Sequence, residues 1–121
     1  MAAVFIVSGE WNLRGAVRAE LREAGITAMG MENLDDMART IARGSAPDAV
    51  VVDGEILRGE ESREKLQNLA TRVPVLVVGS RVDPPPAVSG AEVMLKPVRV
   101  KQIASRVLNL LGKRPRRDSP A

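Results

Sequence analysis

The sequence predicts an α/β domain built on a doubly wound, five-stranded parallel sheet with helices on both faces. Runs such as Ala3–Val7, Ala49–Val52, Val75–Gly79 and Ala91–Leu95 are short, nearly continuous in hydrophobicity and rich in β-branched residues. That is the signature of strands buried on both faces. Between them, apolar residues recur three and four positions apart, the period of an amphipathic helix. The two patterns alternate along the chain, and strands joined by helical crossovers pair in parallel with right-handed connections.

Each element has its own local reason. Ala3–Val7 is the first strand. Leu13, Val17, Leu21 and Ala24 mark the first helix, and Gly25 stands where a left-handed C-terminal cap is expected. Ile26–Met29 reads as a short second strand. Asn33 is a strong N-cap, followed by Asp35 and Asp36 in the first turn, where the helix dipole favours acids. Leu34, Met37, Ala38 and Ile41 give this second helix its buried stripe, and Gly44 ends it. Asp48 leads into the third strand, which closes on Asp53. The third helix spans Glu60–Ala70, where Glu61 attracts Lys65, Glu60 repels Glu64, and Leu66, Leu69 and Ala70 face inward. Val73–Val78 is the fourth strand, with Pro74 tolerable only near its start. After the fifth strand, Ala91–Leu95, the residues Val100, Ile103, Ala104, Val107, Leu108 and Leu111 define an amphipathic last helix that Gly112 closes.

One crossover lacks a helix. Arg81–Gly90 contains Pro84-Pro85-Pro86, and successive prolines lack amide donors and favour extended polyproline geometry. The expectation is a loop with at most one helical turn, leaving the fourth and fifth strands partly uncovered. Val88, Val93 and the outer side of the last helix are the residues expected on that apolar docking or dimerisation face.

Composition narrows the function. The chain has 121 residues, enough for one domain with a single core, here assigned to residues 1–112. Its net charge of +3 comes wholly from Lys113, Arg114, Arg116 and Arg117 against Asp118, so 113–121 reads as an unstructured basic tail or linker and the body is neutral. A neutral body argues against nucleic-acid binding by the domain, and aromatics at 2% leave no stacking platform. Cysteine and histidine are both absent, which removes thiolate metal sites, phosphohistidine and the usual general base. The first strand is too short for a signal peptide or membrane span, so a cytoplasmic location is expected.

Chemistry concentrates at strand ends. Asp53, Ser80 and Lys96-Pro97 follow the third, fourth and fifth strands, and in open parallel sheets the carboxyl ends of the strands share one crevice. Asp53 also has a plainer reading, as the cap of the turn that follows it. In order and spacing these residues resemble the response-regulator receiver domain, a CheY-like fold, across residues 3–111. The resemblance implies a flavodoxin-like strand order 2-1-3-4-5, with the fourth helix reduced or missing. It further implies Asp53 as phosphoacceptor, Ser80 as switch hydroxyl, and Lys96 before a cis Pro97.

The resemblance is incomplete at the site. The acidic pair that holds Mg²⁺ in the family falls on Ser8 and Gly9, with Glu10 the nearest carboxylate. The family's switch aromatic falls on Val93, and Gly54–Gly59 departs from its usual turn. Losing a carboxylate ligand should weaken Mg²⁺ severely, and phosphoryl transfer leans on that charge. Asp53 and Lys96 are then expected to form an ion pair. The reading is a degenerate receiver in a two-component phosphorelay, not an enzyme, without a cofactor, acting through protein–protein contact. The expected partner is a histidine kinase or a downstream output protein or domain, with a second copy of the chain as another candidate. The alternative is a working receiver phosphorylated on Asp53 by a histidine kinase. A small-molecule or flavin-binding protein is a third class, but no phosphate-cradling glycine motif or flavin-sandwiching aromatic supports it.

Overall fold

A computed structural model describes residues 2–112, so the tail expected over 113–121 lies outside the described residues. The elements run β1 (Ala3–Val7), α1 (Trp11–Glu23), β2 (Thr27–Met31), α2 (Leu34–Ala42), β3 (Ala49–Asp53), a 3₁₀ turn (Gly54–Leu57), α3 (Glu60–Ala70), β4 (Val75–Ser80), β5 (Glu92–Lys96) and α4 (Val100–Gly112). All strand pairs are parallel and the order is β2-β1-β3-β4-β5. The flavodoxin-like α/β architecture is therefore the one the sequence implied.

Alternation along each strand divides the core in two. Val4, Ile6, Val51, Leu76 and Val78 face Val17 and Leu21 of α1 and Ile103 and Val107 of α4. Phe5, Val7, Val50, Val52 and Val77 face Met37 of α2 and Leu66 and Leu69 of α3. Capping chemistry sets the helix limits. The Asn33 side chain accepts a 2.8 Å hydrogen bond from the Asp36 amide, while Gly25 and Gly44 take φ of 83° and 102° just past their helices. Glu61 and Lys65 pair at 3.2 Å.

Several boundaries differ from the sequence reading. β2 lies at Thr27–Met31 rather than Ile26–Met29, because its register against β1 carries Met31 opposite Val7 and into the core. β4 begins after Pro74, and Ser80 and Lys96 are the last residues of their strands, paired to each other across the sheet. On α4 the inward residue is Leu110, whereas Leu108 is exposed.

The proline segment forms no helix, as its composition requires. It does not leave β4 bare: Val75 to Gly79 are all buried. Val88, expected on an exposed face, instead inserts into the core beside α3 at 6% exposure. Burying a valine stabilises by about 1.5–3 kcal/mol, so a loop that has lost its helix still gains by sending one apolar side chain down. Gly90, at φ 84°, then turns the chain into β5. Of β5 and α4, Val93 and Leu108 do stay exposed, at 48% and 40%, and Val82 of the loop itself is exposed as well.

Pro85 packs flat on the end of β4. A Cβ on Gly79 would stand 2.4 Å from Pro85 Cδ, whereas a Cβ on Gly15 in α1 would meet nothing within 4 Å. The same substitution should therefore act with opposite sign at the two glycines. Gly79→Ala is expected to destabilise by about 1–3 kcal/mol through overpacking, and Gly15→Ala to stabilise by up to about 1 kcal/mol through helix propensity. Urea unfolding midpoints of the two variants check this.

Candidate functional site

The strand ends bring the chemistry-bearing residues together because parallel strands all finish on one side of the sheet. Asp53 ends β3 at 5% exposure, and Ser8, just past β1, is buried beside it at 1%. The Ser8 hydroxyl donates to Asp53 Oδ2 at 2.9 Å, and the Glu55 amide donates to Oδ1 at 3.1 Å. A hydroxyl has one proton, and here the nearer, charged carboxylate takes it over the Glu10 carbonyl at 3.4 Å. Ser8 Oγ in turn accepts from the Glu10 amide at 3.0 Å. Its backbone is held on both sides, by the Met31 carbonyl at 2.9 Å and by Arg14 Nη1, which donates to the Ser8 carbonyl at 2.7 Å. Ser8 thus acts as a fixed neutral donor to Asp53.

The expected ion pair between Asp53 and Lys96 is not what forms. Lys96 Nζ pairs with Glu10 Oε2 at 3.9 Å, both side chains being well exposed. The reason is the α1 N-terminus: Glu10, its N-cap residue, makes no side-chain cap bond and is free to lean toward Lys96. Such an exposed, long pair contributes little to stability. Gly9 is exposed, with space around its Cα, and Val93 lies on β5 with its side chain toward solvent. The Lys96-Pro97 bond is cis.

Asp53, Ser80 and Lys96 line one cavity of about 70 Å³, together with Pro84, Pro85 and Pro86. Ser80 Oγ accepts from the amides of Val82 and Asp83 at 3.1 and 3.4 Å, so a residue that lines the cavity also fixes the start of the proline loop. Three residues that the sequence reading did not assign to the site line the same cavity: Glu55, Arg58 and Asp83. Arg58 donates through Nε and Nη2 to the two Glu55 oxygens at 3.0 Å and through Nη2 to Asp83 Oδ2 at 2.7 Å. The Arg58 hydrogen bond and charge hold the Glu55 carboxyl below its ordinary value, and both acids push the guanidinium further up. Because the Glu55 pKa is lowered on folding, this pairing contributes fully above 4.5 and is lost as pH falls through the lower folded value. The i,i+3 spacing of Glu55 and Arg58 was a visible signal; the Asp83 partner, across two loops, had none.

The donor set does not suit a divalent cation. Mg²⁺ requires several oxygens in near-octahedral array, usually with one or two carboxylates. Of the β1–α1 loop, Ser8 gives Asp53 a neutral hydroxyl, Gly9 has no side chain, and the one carboxylate, Glu10, is paired with Lys96; both Asp53 oxygens already accept protein hydrogen bonds. Among the described residues no three His, Cys, Asp or Glu side chains converge.

A response regulator receiver domain protein from Clostridium thermocellum superposes with a TM-score of 0.76 at 16% identity, covering 93% of this chain and 96% of that one. The chain has the receiver fold. A response regulator receiver protein from Burkholderia phymatum gives 0.74 at 22% identity, covering 93% and 96%. The N-terminal domain of a response regulator/sensory box/GGDEF three-domain protein from Carboxydothermus hydrogenoformans gives 0.72 at 16% identity, covering 91% and 94%. No protein-family model and no curated protein matches the sequence significantly. Within the receiver fold, no described helix is long and apolar enough to cross a membrane.

The Ser8–Asp53 bond is a buried, charge-assisted contact, so its partners should be energetically coupled. A double-mutant cycle of Ser8→Ala and Asp53→Ala, read by chemical denaturation, is expected to give a coupling of about 1–3 kcal/mol. A coupling below about 0.5 kcal/mol would show that Ser8 merely fills space.

Proposed function

We propose that this chain is a receiver-type signalling domain, residues 1–112, that works mainly by protein–protein contact, with weak or no Mg²⁺-dependent phosphorylation. The observation that carries this is the Ser8 hydroxyl on Asp53 Oδ2, in the place where metal ligation would require a carboxylate. Phosphoryl transfer to a carboxylate depends on neutralising charge at the transferring group. Here Lys96 is paired with Glu10, and Arg58, which lines the same cavity, with Glu55 and Asp83. The partner class is a histidine kinase or an output protein or domain, in keeping with a fold that occurs in the Carboxydothermus protein as the first of three domains. One observation favours the alternative of a working phosphoacceptor: Asp53, Ser80 and Lys96 do share a cavity.

Incubation with acetyl phosphate and Mg²⁺, followed by intact mass, decides between them. The expected result is no adduct, or one formed far more slowly than for a metal-competent receiver control. A ready adduct that Asp53→Asn abolishes would establish the phosphoacceptor. The Ser8→Asp/Gly9→Asp variant should gain Mg²⁺ affinity, measured by quenching of Trp11 one residue beyond Glu10, since a Cβ at Gly9 meets no atom within 4 Å.

A further inference from the structure

The connection between β4 and β5 is more than a lost helix. Its two ends are anchored, at Ser80 by the hydroxyl that accepts the Val82 and Asp83 amides and at Val88 by burial in the core. Between them, Pro85 lies against both Gly79 and Gly54: Cβ atoms on these glycines would stand 2.4 Å and 3.0 Å from its ring. Two glycines from different elements thus leave room for one proline. The fastening on the open side is Arg58, whose guanidinium bridges Glu55, two residues after Asp53, and Asp83, at the head of the prolines.

We infer that Val82–Ala87 is a strap closed over the Asp53 pocket, and that Arg58 is its latch. The polyproline segment is stiff, so it moves as a unit between its anchors and needs few contacts to stay shut. Pro85 seats that unit on a bare glycine surface, where no side chain opposes its release. The Arg58–Asp83 bridge, 2.7 Å long between side chains 61% and 63% exposed, is the contact that salt or a competing anion can break. Access to Asp53 is then controlled by Arg58, and a partner presenting a carboxylate or phosphate to that guanidinium opens the pocket. The strap stands whether or not Asp53 accepts a phosphoryl group.

The absence of cysteine in the chain provides a direct probe. Asp53→Cys places a single thiol at the base of the pocket, and its reaction rate with a disulfide reagent such as DTNB reports access without metal or phosphodonor. In that background, Arg58→Gln and Asp83→Asn are each expected to accelerate labelling about fivefold, the scale on which exposed pairs act. Salt near 1 M, where screening extends about 3 Å, should accelerate the parent to a similar degree and the latch variants little. A second measurement keeps Asp53 in place: amide exchange over residues 80–90 of the otherwise unaltered chain should quicken with Arg58→Gln or Asp83→Asn. Labelling rates within twofold of the parent in both variants, or unchanged exchange, would overturn the strap. Asp83 is on an exposed loop, so Asp83→Asn decides the matter should Arg58→Gln fail to fold. The acetyl phosphate experiment is independent of either result.

Discussion

A carboxylate buried at the end of a strand that is itself covered on both faces is the constraint around which the site is arranged. Asp53 follows four buried apolar residues and is almost out of reach of water. A charge so placed is costly unless hydrogen bonds replace its hydration. Ser8 and the Glu55 amide supply them, from β1's end and from the first turn after β3. Both of those segments are then fixed in turn, Ser8 by the Met31 carbonyl and Arg14, and Glu55 by Arg58. Requirements that begin at one buried charge thereby order the loops on its two sides.

Arg14 illustrates how far such ordering extends. Its side chain crosses β2 at Gly30, where a Cβ would stand 2.7 Å from Arg14 Cγ, before its guanidinium reaches the Ser8 carbonyl. The glycine in the middle of β2 weakens that strand but admits the arginine. The loop that presents Ser8 is thus held by the helix that follows it, α1, through a side chain that passes over the neighbouring strand β2.

The crossover from β4 to β5 shows how the fold tolerates loss of a helix. A parallel sheet needs both faces covered, and a helix normally does this with several side chains. Here Val88 and Pro85 cover β4, one in the core and one on Gly79, and β5 at the sheet's edge keeps Val93 in solvent. The missing helix therefore costs coverage at the edge strand rather than at β4, where Val75 to Gly79 stay buried.

Strand number, their parallel pairing, the helix caps at Asn33 and Gly25, and the absence of a helix over the prolines were all legible in the chain. Each rests on local patterns: buried β-branched runs, side-chain capping, and the missing amide of proline. That Asp53, Ser80 and Lys96 converge was legible too, since strand ends meet wherever parallel strands share a sheet. What each of these groups bonds to was settled only by tertiary structure. Lys96 turned to Glu10, the Asp53 carboxylate to Ser8, and Val88 inward, because ion pairs and hydrogen bonds are decided by distances of an ångström between segments far apart in sequence. Periodicity and spacing set where a side chain starts and which face it belongs to; the partner at its far end depends on how separate loops pack, and only the folded chain brings Asp83 to Arg58.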